Sequence, residues 1–96
     1  MTDTLDANTR HALEELLAVA QRDTGQSRRC ANFLLAWWNA AENGGFDLSE
    51  LWGLDRELAS ACAVVFAWVA QHGVYPNTLG YGPQFEALAK AWRSKA

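Results

Sequence analysis

Histidines and paired carboxylates are the residues of this chain best suited to acid–base catalysis. The two histidines, His11 and His72, have no nucleophile and acid at motif spacing, so no catalytic triad can be assembled. His72 ends a predicted helix, where a partly protonated imidazole interacts favourably with the helix dipole. Asp47 and Glu50 are the main carboxylate pair, but capping of a short helix accounts for both. We therefore expect no catalytic residues and no enzymatic activity.

Metal and cofactor sites are also not expected. The two cysteines, Cys30 and Cys62, are accompanied by no C-x-x-C motif or His/Cys cluster, so the sequence predicts no metal site. The segment 80–82 lacks the length, the Lys and the Ser/Thr of a phosphate loop. Both cysteines lie in apolar helical patterns, which predicts buried free thiols. A disulfide between them is the alternative if their two helices face each other.

The charges bear on nucleic-acid binding. A net charge of −3 opposes non-specific binding, which depends on neutralising phosphates with Lys and Arg. A helix-turn-helix over Phe46 to His72 is disfavoured, because its second helix offers Arg56 between two acidic residues and then apolar ones. A small helical DNA-binding regulator stays an alternative. In that alternative five basic residues contact phosphates: Arg28, Arg29, Lys90, Arg93 and Lys95.

The aromatic residues favour protein binding. The 96 residues include five Trp, more than a core of this size needs, because Trp is rarely buried completely. Aromatic side chains also dominate the energy of many interfaces. The segment from Glu42 to Glu57 is acidic, with Arg56 as its one cation. We predict a binding surface for a protein partner or a second copy, with an aromatic centre and an acidic rim: Trp38, Trp52, Tyr75, Tyr81, Asp47, Glu50, Asp55 and Glu57. The alternative for each aromatic residue is that it completes the core.

A helix over Cys30 to Glu42 is the element expected to organise the rest. At 100° per residue its apolar arc covers roughly 220° of the helix surface, so neighbouring helices must surround it. Ser27 is predicted to cap it, and residues 43–45 (NGG) end it. Asn32 and Asn39 lie on the narrow polar stripe. Its apolar side chains are Cys30, Phe33, Leu34, Leu35, Trp37, Trp38 and Ala41.

Four further elements are predicted around this central helix. A surface helix begins at Asp6 or Asn8 and runs to Asp23, and Gly25 follows it. A short helix is capped by Asp47 and held on the core by Phe46, Leu48, Leu51 and Trp52. A second inner helix runs from Asp55 to His72, and a last helix begins at Pro83. Residues 74–82 form an ordered loop that folds over the core.

The fold class is therefore all-α. We expect one domain over residues 1–96, built as a compact bundle of four main helices plus one short capped helix, with the first few residues disordered. The acidic N-terminus is not a signal peptide, and no apolar run reaches the length of a membrane span. A cytoplasmic location is the expectation.

Three stretches carry a resemblance to known sequences: FLLAWWNA (residues 33–40), GGFDLSELWGLD (residues 44–55) and YPNTLGYGPQFE (residues 75–86). They resemble an uncharacterised family of small proteins from proteobacterial genomic islands and conjugative elements. The resemblance covers residues 27–93 and leaves out the first helix. It implies a setting, mobile DNA in a bacterial cytoplasm, and no site residues.

The sequence leads to one main hypothesis. It is a non-catalytic protein-interaction module, an accessory or regulatory protein of a mobile genetic element. An anti-CRISPR-type inhibitor that binds a host-defence nucleoprotein complex is the sharper alternative, suggested by the setting that the resemblance implies. We expect no cofactor, no membrane association and no small-molecule substrate.

Overall fold

The computed structural model describes residues 4–93, and every regular element within that range is helical. Four α-helices form the bundle: α1 (Ala7–Ala20), α2 (Gly25–Asn43), α3 (Arg56–His72) and α4 (Gly82–Arg93). Two 3₁₀ helices connect them, the first at Leu48–Gly53 and the second at Pro76–Leu79. The all-α prediction is confirmed. The expected disorder of the first few residues falls on positions 1–3, outside the described range. None of the helices described has the length and apolarity needed to cross a membrane.

The start of α1 follows from one of the two predicted capping residues. Asp6 has extended backbone, and its Oδ1 accepts a hydrogen bond of 2.7 Å from the Thr9 backbone N–H. This bond and a second one from the Thr9 hydroxyl lower the pKa of the Asp6 carboxyl. The helix ends at Ala20, earlier than the predicted Asp23.

The junction between α1 and α2 differs from the prediction. Thr24, not Ser27, caps α2: its Oγ1 accepts a 3.0 Å bond from the Ser27 N–H. Gly25 is the first residue of α2 and does not adopt the left-handed conformation expected after α1. Ser27 is buried, and its hydroxyl lies 2.8 Å from that of Thr24. The turn after Ala20 is short, so α2 begins at Gly25, three residues before the start that a cap at Ser27 would give.

The positions of two helices were predicted wrongly: α1 was expected at the surface and α3 inside, and the structure has the reverse. The described helices lie across the molecule in the order α3, α1, α2, α4, since α1 packs along both α2 and α3, which touch each other only slightly. α1 is therefore an inner helix, and Leu13, Leu16 and Ala20 are fully buried. α2 is central as predicted, between α1 and α4. α3 covers one side of α1, because the large rings of α2 pack against Phe85 of α4 instead.

Three indole N–H groups hydrogen-bond across the bundle, two of them from α2 to the segment between α3 and α4. Trp37 donates to the Val74 carbonyl and Trp38 to Asn77 Oδ1, each at 2.9 Å. Trp92 of α4 donates to the Ala20 carbonyl, also at 2.9 Å. A buried or half-buried indole needs an acceptor, and a loop carbonyl can supply one without breaking a helix. The prediction that residues 74–82 fold over the core is confirmed.

The first 3₁₀ helix is capped as predicted but packs differently. Asp47 Oδ1 accepts a 2.9 Å bond from the Ser49 N–H, and its hydrogen bonds with Ser49 lower the pKa of its carboxyl. Leu51 rests on the core, whereas Leu48 is 67% exposed and Trp52 87% exposed. Successive side chains of a 3₁₀ helix are 120° apart. An element this short therefore cannot direct all of its apolar side chains toward the core.

The two thiols are free and buried, which confirms one of the two alternatives. Burial raises the pKa of Cys30 to about 11 and that of Cys62 to about 12. The thiol is therefore the form that the fold favours. The stabilisation is complete below the ordinary thiol pKa of 9.0, and it is lost as the pH rises toward 11.

Native protein at pH 8 should accordingly not react with an aromatic disulfide reagent, because the thiolate is the nucleophile and both sulfurs are inaccessible. Both thiols should react promptly in denaturant, which serves as the control. The free energy of unfolding should decrease above pH 9. Rapid labelling of the native protein would contradict the buried placement.

Candidate protein-binding surface

An apolar groove lies between α2 and α3. Because α2 and α3 both pack on α1, the side facing away from α1 is left uncovered between them. The segment before the first 3₁₀ helix closes one end, and the groove has a volume of about 310 Å³. Its lining carries no charged side chain: Phe33, Ala36, Trp37, Ala40, Gly45, Phe46, Leu48, Val65, Phe66 and Val69.

The groove has a buried floor and an exposed rim. Val65 of α3 is buried, and Phe33 and Trp37 of α2 are half-buried. The rim consists of Phe66, which is 61% exposed, and Leu48. Two large apolar side chains thus stand in water beside an apolar hollow.

A break near the end of α2 shapes this groove. Asn39 leaves helical geometry (φ −163°, ψ 82°), and its Oδ1 accepts a 3.3 Å bond from the Glu42 N–H, starting a new turn. Gly44 then adopts φ 90°, a conformation that favours glycine. The chain returns so that the ring of Phe46 meets the edge of Phe33, with centroids 5.3 Å apart. The end wall of the groove is therefore fixed by an aromatic contact.

The groove is chemically inert. The indole N–H of Trp37 is already taken by the Val74 carbonyl. Across residues 4–93, no buried side-chain polar atom lacks a hydrogen-bond partner, and no group of three or more His, Cys, Asp or Glu could hold a metal ion. Such a surface can bind apolar side chains, but it offers no group for acid–base or nucleophilic chemistry.

Two carboxylates, those of Asp47 and Glu50, lie near one end of the groove. Asp47 is exposed directly before Leu48. The predicted return of Glu50 to the cap is not made, since its Oε1 accepts a 3.3 Å bond from Asn32 of α2. Arg93 of α4 donates to Asn32 Oδ1 and, at 2.9 Å, to the Asn43 carbonyl. The polar stripe of α2 is thus used within the fold to hold α4 and the first 3₁₀ helix.

Three of the four predicted aromatic residues remain accessible. Trp52 is the most exposed, and Tyr75 is 63% exposed. Trp38 is half-buried, lies over Phe85 and, with Tyr75 and Asn77, lines a second hollow. This hollow shares Ala36, Trp37 and Ala40 with the groove, so the two lie on either side of α2 near its end.

Tyr81 was predicted as part of the binding surface, and the structure contradicts this. Its side chain is only 7% exposed. Its hydroxyl donates a 2.8 Å bond to Glu14 Oε2 and accepts one of 3.3 Å from Arg10 Nη1. Burial, together with the bond to Glu14, raises the pKa of Tyr81. The second 3₁₀ helix turns the chain inward, where Tyr81 joins α4 to α1.

Asp55 and Glu57 also lie away from the groove. Asp55 caps α3 by accepting a 2.9 Å bond from the Leu58 N–H. Gln26 donates to the Gly53 carbonyl at 2.7 Å and accepts from the Asp55 N–H at 3.0 Å. Glu57 lies beside Glu15 of α1, and the two line a hollow of about 340 Å³. The predicted acidic rim is therefore divided, and only Asp47 and Glu50 belong to the groove end.

The basic residues of the DNA-binding alternative have separate roles. Arg93 is committed to acceptors within the protein. Arg29 lies against Gly53, where a Cβ would come within 2.5 Å of its Nε. Arg28 and Lys90 are exposed, on α2 and α4 respectively. Lys95 lies outside the described residues.

The groove residues on α3 were missed in the sequence, although a signal was present. Residues 58–72 contain no Asp, Glu, Lys or Arg, so α3 has no charged face to present to water. A helix at the edge of a bundle normally has one. With α3 on the outside of α1, Phe66 and Ala67 are exposed. An uncharged stretch of this kind in an edge helix indicates that apolar side chains are left exposed.

The carboxyl pair between α1 and α3 predicts a pH-dependent stability. A hydrogen bond with Glu57, together with burial and the repulsion between the two carboxylates, raises the pKa of Glu15 above its ordinary value of 4.5. The pair therefore destabilises the fold increasingly as the pH rises above that value. Glu15→Gln should raise the urea midpoint at pH 7, and the gain should shrink at pH 4. Glu86→Gln on α4 is the control; an equal gain there would contradict the pairing.

The hydroxyl of Tyr81 should contribute measurably to stability. Tyr81→Phe removes both of its hydrogen bonds and keeps the ring, which should cost about 1 kcal/mol in the free energy of unfolding. Tyr75→Phe, at an exposed site, should change it by less than about 0.5 kcal/mol. Urea denaturation measures both. Equal effects in the two variants would show that the buried network is not formed.

Comparison with known proteins places the chain in a family. A search of curated proteins and a search of solved structures each gave no match. A family model matches residues 10–93, so the likeness extends over most of α1, which the sequence resemblance had left out. This is nearly the whole chain, and it confirms the expectation of an uncharacterised family. The chain belongs to DUF7673, a family of unknown function.

Proposed function

We propose that this protein is a non-catalytic module that binds a partner protein through the groove between α2 and α3. The observation that carries the proposal is the pair of exposed rim residues, Phe66 and Leu48, beside an uncharged apolar hollow. Isolated exposed apolar residues are ordinary on protein surfaces, whereas a contiguous apolar patch is typical of an interaction site. The inert lining and the satisfied polar groups favour binding over catalysis.

The rim residues have the properties of interface anchors. Burying one such side chain completely contributes roughly 1.5–3 kcal/mol, so covering Phe66 and Leu48 is a substantial part of the energy of a specific complex. Anchors of this kind lie in hollows surrounded by contacts that exclude water. Trp38 and Tyr75 beyond Ala40, together with Asp47 and Glu50, would then contact the edges of the partner. Tyr81, Asp55 and Glu57 take no part.

The same proposal includes a biological setting. The resemblance of residues 33–55 and 75–86 to proteins of genomic islands and conjugative elements supports an accessory or regulatory role on a mobile genetic element. The partner is then a protein of that element or of the bacterial host. Direct binding of nucleic acid is not part of the proposal, because the net charge is −3 and Arg93 is hydrogen-bonded within the fold.

Affinity purification from the native host with mass spectrometry tests this function. The wild-type chain should enrich a partner that Phe66→Ser and Leu48→Ser each lose by about tenfold or more, because the rim contacts are removed. Ala67→Ser is the matched control, since Ala67 is exposed on the same helix but does not line the groove. Circular dichroism confirms that each variant is folded. No partner for the wild type, together with a monomer by light scattering, would refute the proposal.

A further inference from the structure

We infer that the groove takes an amphipathic α-helix of a partner protein, with basic residues beside its apolar stripe. This inference rests on the proposed function and names the partner's chemistry. It is argued from the shape of the groove, from its hydrogen bonding and from its charge.

The shape of the groove matches a helix. One wall is formed by positions 33, 36, 37 and 40 of α2, and the other by positions 65, 66 and 69 of α3. Phe33, Ala36 and Trp37 stand at the i, i+3, i+4 spacing, so at 1.5 Å per residue this part of the wall extends over about 6 Å, a little more than one helical turn. Ala40 continues the wall after the break at Asn39. A helix laid along it would present anchors at the same spacing, as in known helix-in-groove complexes.

Hydrogen bonding disfavours an added β-strand. A strand bound in an apolar groove must pair its backbone with a sheet edge, but the described residues contain no strand. Nor do they leave a buried side-chain polar atom without a partner. A helix pairs its own backbone groups and can be buried against such a lining without leaving them unsatisfied. The occupant that fits is therefore helical.

The charges near the groove indicate which residues of the partner helix should lie beside its apolar stripe. In the two segments that line the groove, residues 33–48 and 65–69, the charged residues are Glu42 and Asp47. Glu50 follows on the first 3₁₀ helix, and Arg93 is the cation that hydrogen-bonds into this end. Arg29 lies against Gly53, the last residue of the same 3₁₀ helix, so three carboxylates stand against two guanidiniums. Lys and Arg on the partner would complement this end.

A second copy of the chain is the competing occupant, and the same charges disfavour it. A two-fold dimer formed groove to groove would bring the Glu42–Glu50 segment of one copy beside that of the other. Like charges placed opposite each other across an interface oppose association. Both the wild-type protein and the Phe66→Ser variant should accordingly be monomers in isolation.

A displayed library of helical peptides, each of about 18 residues or five turns, tests the inference without knowledge of the natural partner. Selection against the folded chain, with counter-selection against Phe66→Ser, should enrich peptides with apolar residues at i, i+3 or i+4, and i+7. These peptides should carry more Lys and Arg than Asp and Glu. Enrichment without this periodicity, enrichment of acidic peptides, or no enrichment at all overturns the inference.

A neutralised variant separates the charge from the apolar contacts. Glu42→Gln with Asp47→Asn keeps a capping oxygen at position 47 and should weaken a selected peptide about threefold to tenfold at low salt. Asp23→Asn with Glu86→Gln makes the same change in net charge at positions that do not line the groove, and should have little effect. Equal effects of the two pairs overturn the charge assignment.

Sedimentation equilibrium of the chain alone tests the competing occupant. A monomer supports the inference, and a dimer that Phe66→Ser dissociates overturns it in favour of a second copy. A failed peptide selection together with a partner that depends on Phe66 in the affinity purification would leave the proposed function standing. If the peptide selection and the affinity purification both fail, the helical occupant and the proposed function are both refuted.

Discussion

The burial of α1 on two sides is the constraint on which the rest of the structure depends. Leu13 and Leu16 are fully buried in a helix of 14 residues, and no single neighbour can cover both flanks of the stripe they form. α2 and α3 therefore take one side each. Two helices that share a third as their support need not meet each other. The groove follows from that arrangement, and α4 is free to complete the other side of α2.

Much of the fold is encoded in local signals that can be read from the sequence. The caps at Asp6, Asp47 and Asp55 are single residues whose carboxylates accept from a nearby N–H. Gly73 in the left-handed conformation ends α3 where it was expected. Such features depend on a few neighbouring residues, so they can be predicted from the sequence. The misplaced cap of α2 shows the limit, because Thr24 and Ser27 are both good capping residues and their environments decide between them.

The candidate site was less predictable, because exposure is a property of the whole assembly. Trp38, Trp52, Tyr75 and Tyr81 have similar chemistry, but the fold buries Tyr81 and leaves Trp52 in water. The acidic segment was treated as one rim, yet Gly53 and the cap at Asp55 direct Glu57 toward α1. α3 was predicted to be an inner helix, but it lies at the edge of the bundle and leaves Phe66 exposed. A sequence pattern states which residues are apolar, and it cannot by itself state which neighbours are available to cover them.

The contacts of Trp92 and Arg93 have a consequence for biosynthesis. Trp92 hydrogen-bonds to the Ala20 carbonyl, and Arg93 joins Asn32 to the Asn43 carbonyl. The last described turn of α4 thus holds together segments made much earlier during translation. An emerging chain can form α1, α2 and α3 in sequence, but the α2 side of the core stays open until Arg93 has left the ribosome. Until then the aromatic face of α2 is a surface that chaperones can recognise.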